Sequence, residues 1–225
     1  MRSTDRIIFS ASAAAFAVFS AAAGARVLHP ADAWALRVAQ HRPTELFDAI
    51  GGFFSVVGAV EYSAAALLVL AGALSLGGRR VVAGRLLLVF LATGLLEIAM
   101  KMLLPQTPMP EESMRSRDPS PIVDVAFPYP YPSGHMLRSV ILLGVFYAMW
   151  PNRFLRVAIV VFLAGMAASR VYLGVHWASD VIGGALLGIV GVGWAFKKFK
   201  KRSANQLVSQ SAKKAVGIPG DGDPT

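Results

Sequence analysis

Two short segments hold most of the residue types that could do chemistry. They are Tyr131-Pro132-Ser133-Gly134-His135, and the stretch from Ser169 to Asp180, which carries Arg170, His176 and Asp180. His176 and Asp180 are four positions apart, so on a helix they share a face with β-carbons about 5–6 Å apart. An aspartate placed there accepts the imidazole N–H, fixes the tautomer and leaves the other ring nitrogen to attack. Arg170 offers a planar fork that binds phosphate oxygens in pairs. Ser133 and Gly134 read as a helix start, where serine caps well and free backbone N–H groups bind anions. His135 then stands where a general acid would protonate a leaving oxygen. Lys101 adds a cation, and Glu97, one helical turn earlier, pairs with it and aims it. Together these residues suit a phosphoryl transfer through a phosphohistidine that needs neither metal nor cofactor. The chain has no cysteine, so thiolate metal sites and disulfides are excluded.

Each feature has a plainer reading on its own. A histidine near a membrane surface is commonly structural, Pro-Ser-Gly-His makes an ordinary turn and cap, and Arg170 alone would pass as a topology charge. Two histidines in order, each with its own partner, argue instead for one shared anion site. Trp177, Tyr172, Tyr129 and Tyr131 read as aromatics of the membrane surface. Met100, Met102, Met109 and Met114 read as packing. The glycines of Gly183-Gly184 and from Gly188 to Gly193 suit close helix contact.

The elements that must position these residues are hydrophobic. Of the 225 residues, 55% are hydrophobic and 16% charged, against about 25% charged in a soluble domain. Apolar runs approach the ~20 residues needed to cross a bilayer core about 30 Å thick. The first covers Ile7–Ala23. A cleavable signal peptide shares its basic start and small-residue exit, but an uncleaved helix is the favoured reading. His29–Asp48 is too polar to span and reads as an interfacial helix. Further spans are expected over 56–76, 81–101, 135–150, 154–172 and 179–196. Between the third and fourth lies a proline-rich loop, 103–132, too rich in proline for a helix. The fold class expected is all-α: a polytopic six-helix membrane bundle with an outer-face proline-rich loop and an interfacial helix. It forms a single domain, 1–202, followed by a disordered cytoplasmic tail, 203–225.

The net charge of +9 invites a nucleic-acid reading. The basic residues, however, flank the apolar runs: Arg2 and Arg6, Arg79, Arg80 and Arg85, Arg153 and Arg156, then Lys197–Arg202. In a six-span arrangement all fall on one side, the cytoplasm. Both histidine motifs and the proline-rich loop fall on the other, facing the periplasm or exterior of a bacterial inner or plasma membrane. The partners expected are membrane lipids and a lipid phosphate, not nucleic acid. Nothing in the sequence specifies an oligomeric state.

Pro-Ser-Gly-His followed by Ser-Arg-x5-His-x3-Asp resembles the type 2 phosphatidic acid phosphatase (PAP2) superfamily, from about the second span to the sixth. The resemblance implies His176 as nucleophile, Asp180 as its orienting partner and His135 as general acid. It also implies that Ser133, the Gly134 backbone, Arg170 and Lys101 hold the phosphate, without metal. One departure stands out. The family's first motif is Lys, six residues, then Arg-Pro, whereas Lys101 is followed at that spacing by Pro108 and Met109. Candidates to replace the missing arginine are Arg138, Arg115 and Arg117. Arg138 is favoured, because it lies one turn after His135 on the same helix face. The expected activity is hydrolysis of a lipid phosphomonoester or diphosphate, with undecaprenyl diphosphate first, then phosphatidylglycerophosphate or phosphatidate. The altered motif points to a specialised headgroup, one the loop with Glu111, Glu112, Arg115 and Arg117 could recognise. A phosphotransferase and a non-catalytic lipid-phosphate-binding protein are the alternatives.

Overall fold

A computed structural model describes residues 3–115 and 127–197. Arg117 and the expected disordered tail, 203–225, lie outside the described residues. The protein is an all-α membrane protein. Its helices are α1 (Ser3–Gly24), α2 (His29–Ala39), α3 (Glu45–Gly58), α4 (Val60–Leu76), α5 (Arg80–Leu103), α6 (Gly134–Met149), α7 (Arg153–Tyr172) and α8 (Ala178–Ala195). The proline-rich loop contains one turn of 3-10 helix, Glu111–Ser113, where prolines had suggested no helix.

The helix boundaries correct the expectation of a six-helix bundle: the described residues form eight α-helices, with three to five candidate spans. Among the described residues, only α5, α7 and α8 are individually long and apolar enough to cross a membrane. The pairs α1–α2 and α3–α4 qualify only as broken units, bent by 89° and 51°. Helix α6 has 16 residues, a shorter apolar helix. The apolar run assigned to the second span is broken at Ala59, whose backbone is extended (φ −61°, ψ 150°). The interfacial segment is also two pieces, because Thr44 starts a new helix by accepting the Phe47 N–H.

Helix α8 packs against α1, α5, α6 and α7 and so sits at the centre. Its glycines make this possible. A β-carbon on Gly184 would overlap the Ser133 carbonyl oxygen, and one on Gly188 would lie 2.7 Å from Val140. These positions let α8 and α6 approach backbone to side chain. Leu67, Leu86, Leu137, Ile141 and Leu187 fill the core among α4, α5, α6 and α8. A second cluster, Met136, Val140, Met166 and Val181, joins α6, α7 and α8. Outward residues such as Val69, Leu91 and Val161 remain exposed. Arg85 donates to the carbonyls of Ala195 and Lys197, tying the start of α5 to the end of α8. The opposite ends of these helices carry the candidate site residues.

Candidate active site

The two motifs meet through the backbone. The Ser133 N–H donates to the Asp180 carbonyl oxygen at 2.9 Å, joining the start of α6 to the first turn of α8. The backbone N–H of His176 reaches the Arg170 carbonyl at 3.3 Å, closing the turn between α7 and α8. Gly174 makes that turn with φ +68°, and the Ser113 carbonyl lies against it where a β-carbon would clash. Arg170, Arg138 and His176 all lie within electrostatic range of His135, and Lys101 within range of Asp180. The residues singled out from the sequence therefore gather at one end of the bundle. All of Ser133, His135, Arg170, His176 and Asp180 are buried.

His176 Nδ1 lies 3.3 Å from Asp180 Oδ2. A carboxylate accepts, so this pairing sets the proton on Nδ1 and the lone pair on Nε2, the tautomer a nucleophile needs. Asp180 is held from two further directions. Its Oδ2 also accepts the Trp177 N–H at 2.8 Å, and its Oδ1 accepts from Gln106 Nε2 at 2.7 Å.

His135 Nε2 lies 3.0 Å from the Ser55 carbonyl, which can only accept. Arg170 Nη1 donates to Ser55 Oγ at 2.8 Å, so one serine holds both the second histidine and the arginine. The break at Ala59 explains why Ser55 can do this. The last carbonyls of a helix have no partner within it. Here the Ser55 carbonyl meets His135 and the Gly58 carbonyl meets Arg138 Nε at 3.4 Å. The negative end of the α3 dipole thus faces a guanidinium. Ser55, Gly58 and Gln106 were missed in the sequence. The one available signal for Ser55 was a polar residue inside the apolar run Phe53–Val57.

Glu97 links the remaining cations. Its Oε1 lies 3.0 Å from Lys101 Nζ and its Oε2 3.0 Å from Arg138 Nη1. The pairing of Glu97 with Lys101 follows the helical spacing. Its hold on Arg138 places that arginine beside Lys101. Gly134 lies directly under this group, since a β-carbon there would overlap Glu97 Oε1 and Arg138 Nη1. Arg115 is elsewhere: Nε and Nη2 grip both Asp48 oxygens at 2.8 and 2.7 Å, and the guanidinium lies over Tyr172.

Ser133 occupies the N-cap position of α6, as its sequence suggests, but its side chain makes no capping bond. Ser133 Oγ is buried and has no hydrogen-bond partner among the described residues. A buried hydroxyl in this state costs free energy until it meets an acceptor. Tyr131 supports the turn before it. Burial pushes its phenol up to about 12, so it stays neutral against Ser20 Oγ at 2.9 Å.

Residues 83–204 match the PAP2 superfamily, more than half of the chain. The chain belongs to the PAP2 superfamily. Two solved structures resemble it in fold. One is a transmembrane PAP2 type phosphatidylglycerolphosphate phosphatase from Bacillus subtilis, with TM-score 0.65 and 20% identity, covering 86% of this chain and 100% of that one. The other is Aquifex aeolicus LpxE, with TM-score 0.55 and 22% identity, covering 72% of this chain and 93% of that one. No curated protein sequence matches the chain. Within this PAP2 chain, the segment where the first motif's arginine is expected supplies Gln106 to Asp180, while Arg138 arrives beside Lys101 from α6.

Proposed function

We propose that this protein is a membrane lipid phosphatase acting through a phosphohistidine at the outer membrane face. His176 Nε2 attacks the terminal phosphorus, forming the P–N bond as the P–O bond to the leaving lipid alcohol (from a monoester) or lipid phosphate (from a diphosphate) breaks. His135, protonated on both ring nitrogens at this step, gives its Nδ1 proton to the departing oxygen while its Nε2–H stays on the Ser55 carbonyl. Water then attacks phosphorus, the P–N bond breaks, and His135 takes a proton from the water as inorganic phosphate forms. Arg170, Lys101, Arg138, Ser133 Oγ and the Gly134 N–H stabilise charge on the transferring group, the dominant contribution in phosphoryl transfer. The observation that carries this reading is the 2.9 Å bond from Ser133 N–H to the Asp180 carbonyl, which ties the acid's motif to the nucleophile's. The buried Ser133 hydroxyl, which has no hydrogen-bond partner among the described residues, supports it.

In this reading the chain crosses the membrane six times, with α3–α4 as one broken crossing and α6 as a short one. The basic helix ends and the C-terminus face the cytoplasm. Undecaprenyl diphosphate is the first substrate to test. Phosphatidylglycerophosphate and phosphatidate follow, the former supported by likeness to the Bacillus subtilis enzyme.

The test is phosphate release by detergent-purified protein from these three lipids, with EDTA present, beside His176→Ala. Metal-independent release that vanishes in the variant is expected, and it ranks the substrates. Folded wild-type protein that releases no phosphate, or release that survives His176→Ala, overturns the reading.

A further inference from the structure

The loop after Lys101 lacks the arginine its family motif predicts, yet it enters the site. Leu104 closes α5, and the chain then delivers Gln106, which is 4% exposed, to the first turn of α8. The loop is pinned there by the Trp177 indole, whose Nε1 donates to the Thr107 carbonyl at 2.7 Å. Met109 packs with Leu36 and Trp177 just beyond.

The direction of each hydrogen bond around Gln106 can be assigned from its partners. Nε2 reaches Asp180 Oδ1 at 2.7 Å and Ser179 Oγ at 3.2 Å. Ser179 Oγ lies 2.7 Å from Asp32 Oδ2, and the Ser179 N–H donates to Asp32 Oδ1 at 2.8 Å. An ionised carboxylate only accepts, so the Ser179 hydroxyl proton goes to Asp32 and its oxygen accepts from Gln106. Both hydrogens of the amide are thereby committed, one to each helix partner. Reversing the amide would set its oxygen against Asp180. Gln106 therefore has one favoured orientation, set by the two α8 acceptors of its Nε2, while its Oε1 has no hydrogen-bond partner among the described residues.

We infer that Gln106 is a positioning residue for the His176–Asp180 pair. By occupying Oδ1 it holds the carboxylate in the rotation that presents Oδ2 to His176 Nδ1. The loop that lost an arginine for phosphate thus orients the nucleophile, and Arg138 supplies the cation from another helix. This inference rests on the phosphatase reading for its effect on rate, but its structural content does not.

Two variants and two readouts test it. Gln106→Leu removes both donors at similar size, and Gln106→Glu sets a second carboxylate against Asp180. With dioleoyl phosphatidate or a short polyprenyl diphosphate in micelles, each variant should lose about 10–100-fold in kcat with KM within about twofold, as for residues that orient a reactive group through a neighbour. In an Asp180→Asn background the same Gln106 changes should cost little further, because their effect passes through Asp180. The second readout needs no turnover. The downfield proton resonance of His176 Nδ1–H, assigned by its loss in His176→Ala, should shift or vanish in Gln106→Leu. An unchanged resonance together with kcat within twofold of wild type overturns the positioning role, as does a loss confined to KM. Wild-type protein that releases no phosphate but whose His176 resonance responds to Gln106→Leu overturns the phosphatase reading and leaves the positioning role standing.

Discussion

Arg138 on α6 and Glu97 on α5 form a 3.0 Å ion pair, with side chains only 13% and 8% exposed. The second Glu97 oxygen holds Lys101 at the same distance. One carboxylate therefore gathers two cations from different helices at the mouth of α6. A charged group at membrane depth is costly unless partnered, and it marks a functional position by default. In the proposed reaction Arg138 replaces the arginine absent after Lys101. Arg138→Ala should lower kcat/KM by about 10²–10³-fold, the usual effect of removing a donor to developing charge. Glu97 stays paired with Lys101 in that variant, so the protein should remain folded in detergent. Steady-state kinetics of the purified variant decide it, and near-normal values sink the replacement.

Arg115 should behave differently. Its guanidinium is spent on Asp48, and its backbone N–H on the Leu173 carbonyl at 2.9 Å. Gln40 Nε2 reinforces the same seam by donating to the carbonyls of Ser113 and Tyr172. These bonds clip the proline-rich loop to the end of α7 and to α3. The pair is partly solvent-exposed, and exposed pairs contribute little. Arg115→Ala should leave kcat/KM within about threefold of wild type while speeding cleavage of the loop by protease. A loss as large as that of Arg138→Ala would return Arg115 to the list of phosphate ligands.

The contrast between these two arginines shows what was legible in the sequence. Glu97 with Lys101 is a pair that helical spacing puts together. His176 with Asp180 and Ser133 with His135 are also close in the chain, but His176 precedes the N-cap Trp177 of α8 and Ser133 is itself the N-cap of α6, so helix starts rather than helix faces place them. Arg138 was readable because it shares a helix face with His135. Ser55, Gln106 and Asp32 were not, because their partners are distant in the chain and their geometry follows from two irregularities. One is the extended residue Ala59, which frees the carbonyls of α3 yet has no proline to announce it. The other is the path of the loop from Leu104 to Met109, which hydropathy cannot trace. The same break at Ala59 explains why one apolar run was read as one uniform span.

Ser133 offers a test that separates a cap from a ligand. A serine that caps a helix contributes about 1 kcal/mol, lost on change to alanine. Ser133 Oγ makes no such bond. Ser133→Ala should therefore leave the melting temperature in detergent unchanged or slightly raised, while kcat/KM falls about tenfold or more through loss of a donor to phosphate. A melting temperature lowered by several degrees with normal kinetics would show the hydroxyl to be structural.

Gly58 carries the sharpest steric prediction. A β-carbon there would overlap His135 Cδ2 and lie 3.0 Å from its β-carbon, closer than real side chains approach. The His135 ring rests against the end of α3, where Nε2 meets the Ser55 carbonyl. Gly58→Ala must therefore push the ring off that carbonyl or shift α3 against α6. Either displaces His135, the general acid of the proposed reaction, and misplacement by about 1 Å can cost about 10²-fold. The loss should depend on the leaving group. A substrate whose leaving oxygen is already acidic, such as an aryl phosphate, needs little protonation and should retain more activity in Gly58→Ala than a lipid alkyl phosphate does. Equal losses on both substrates would mean that His176 or the phosphate ligands, rather than His135, had moved.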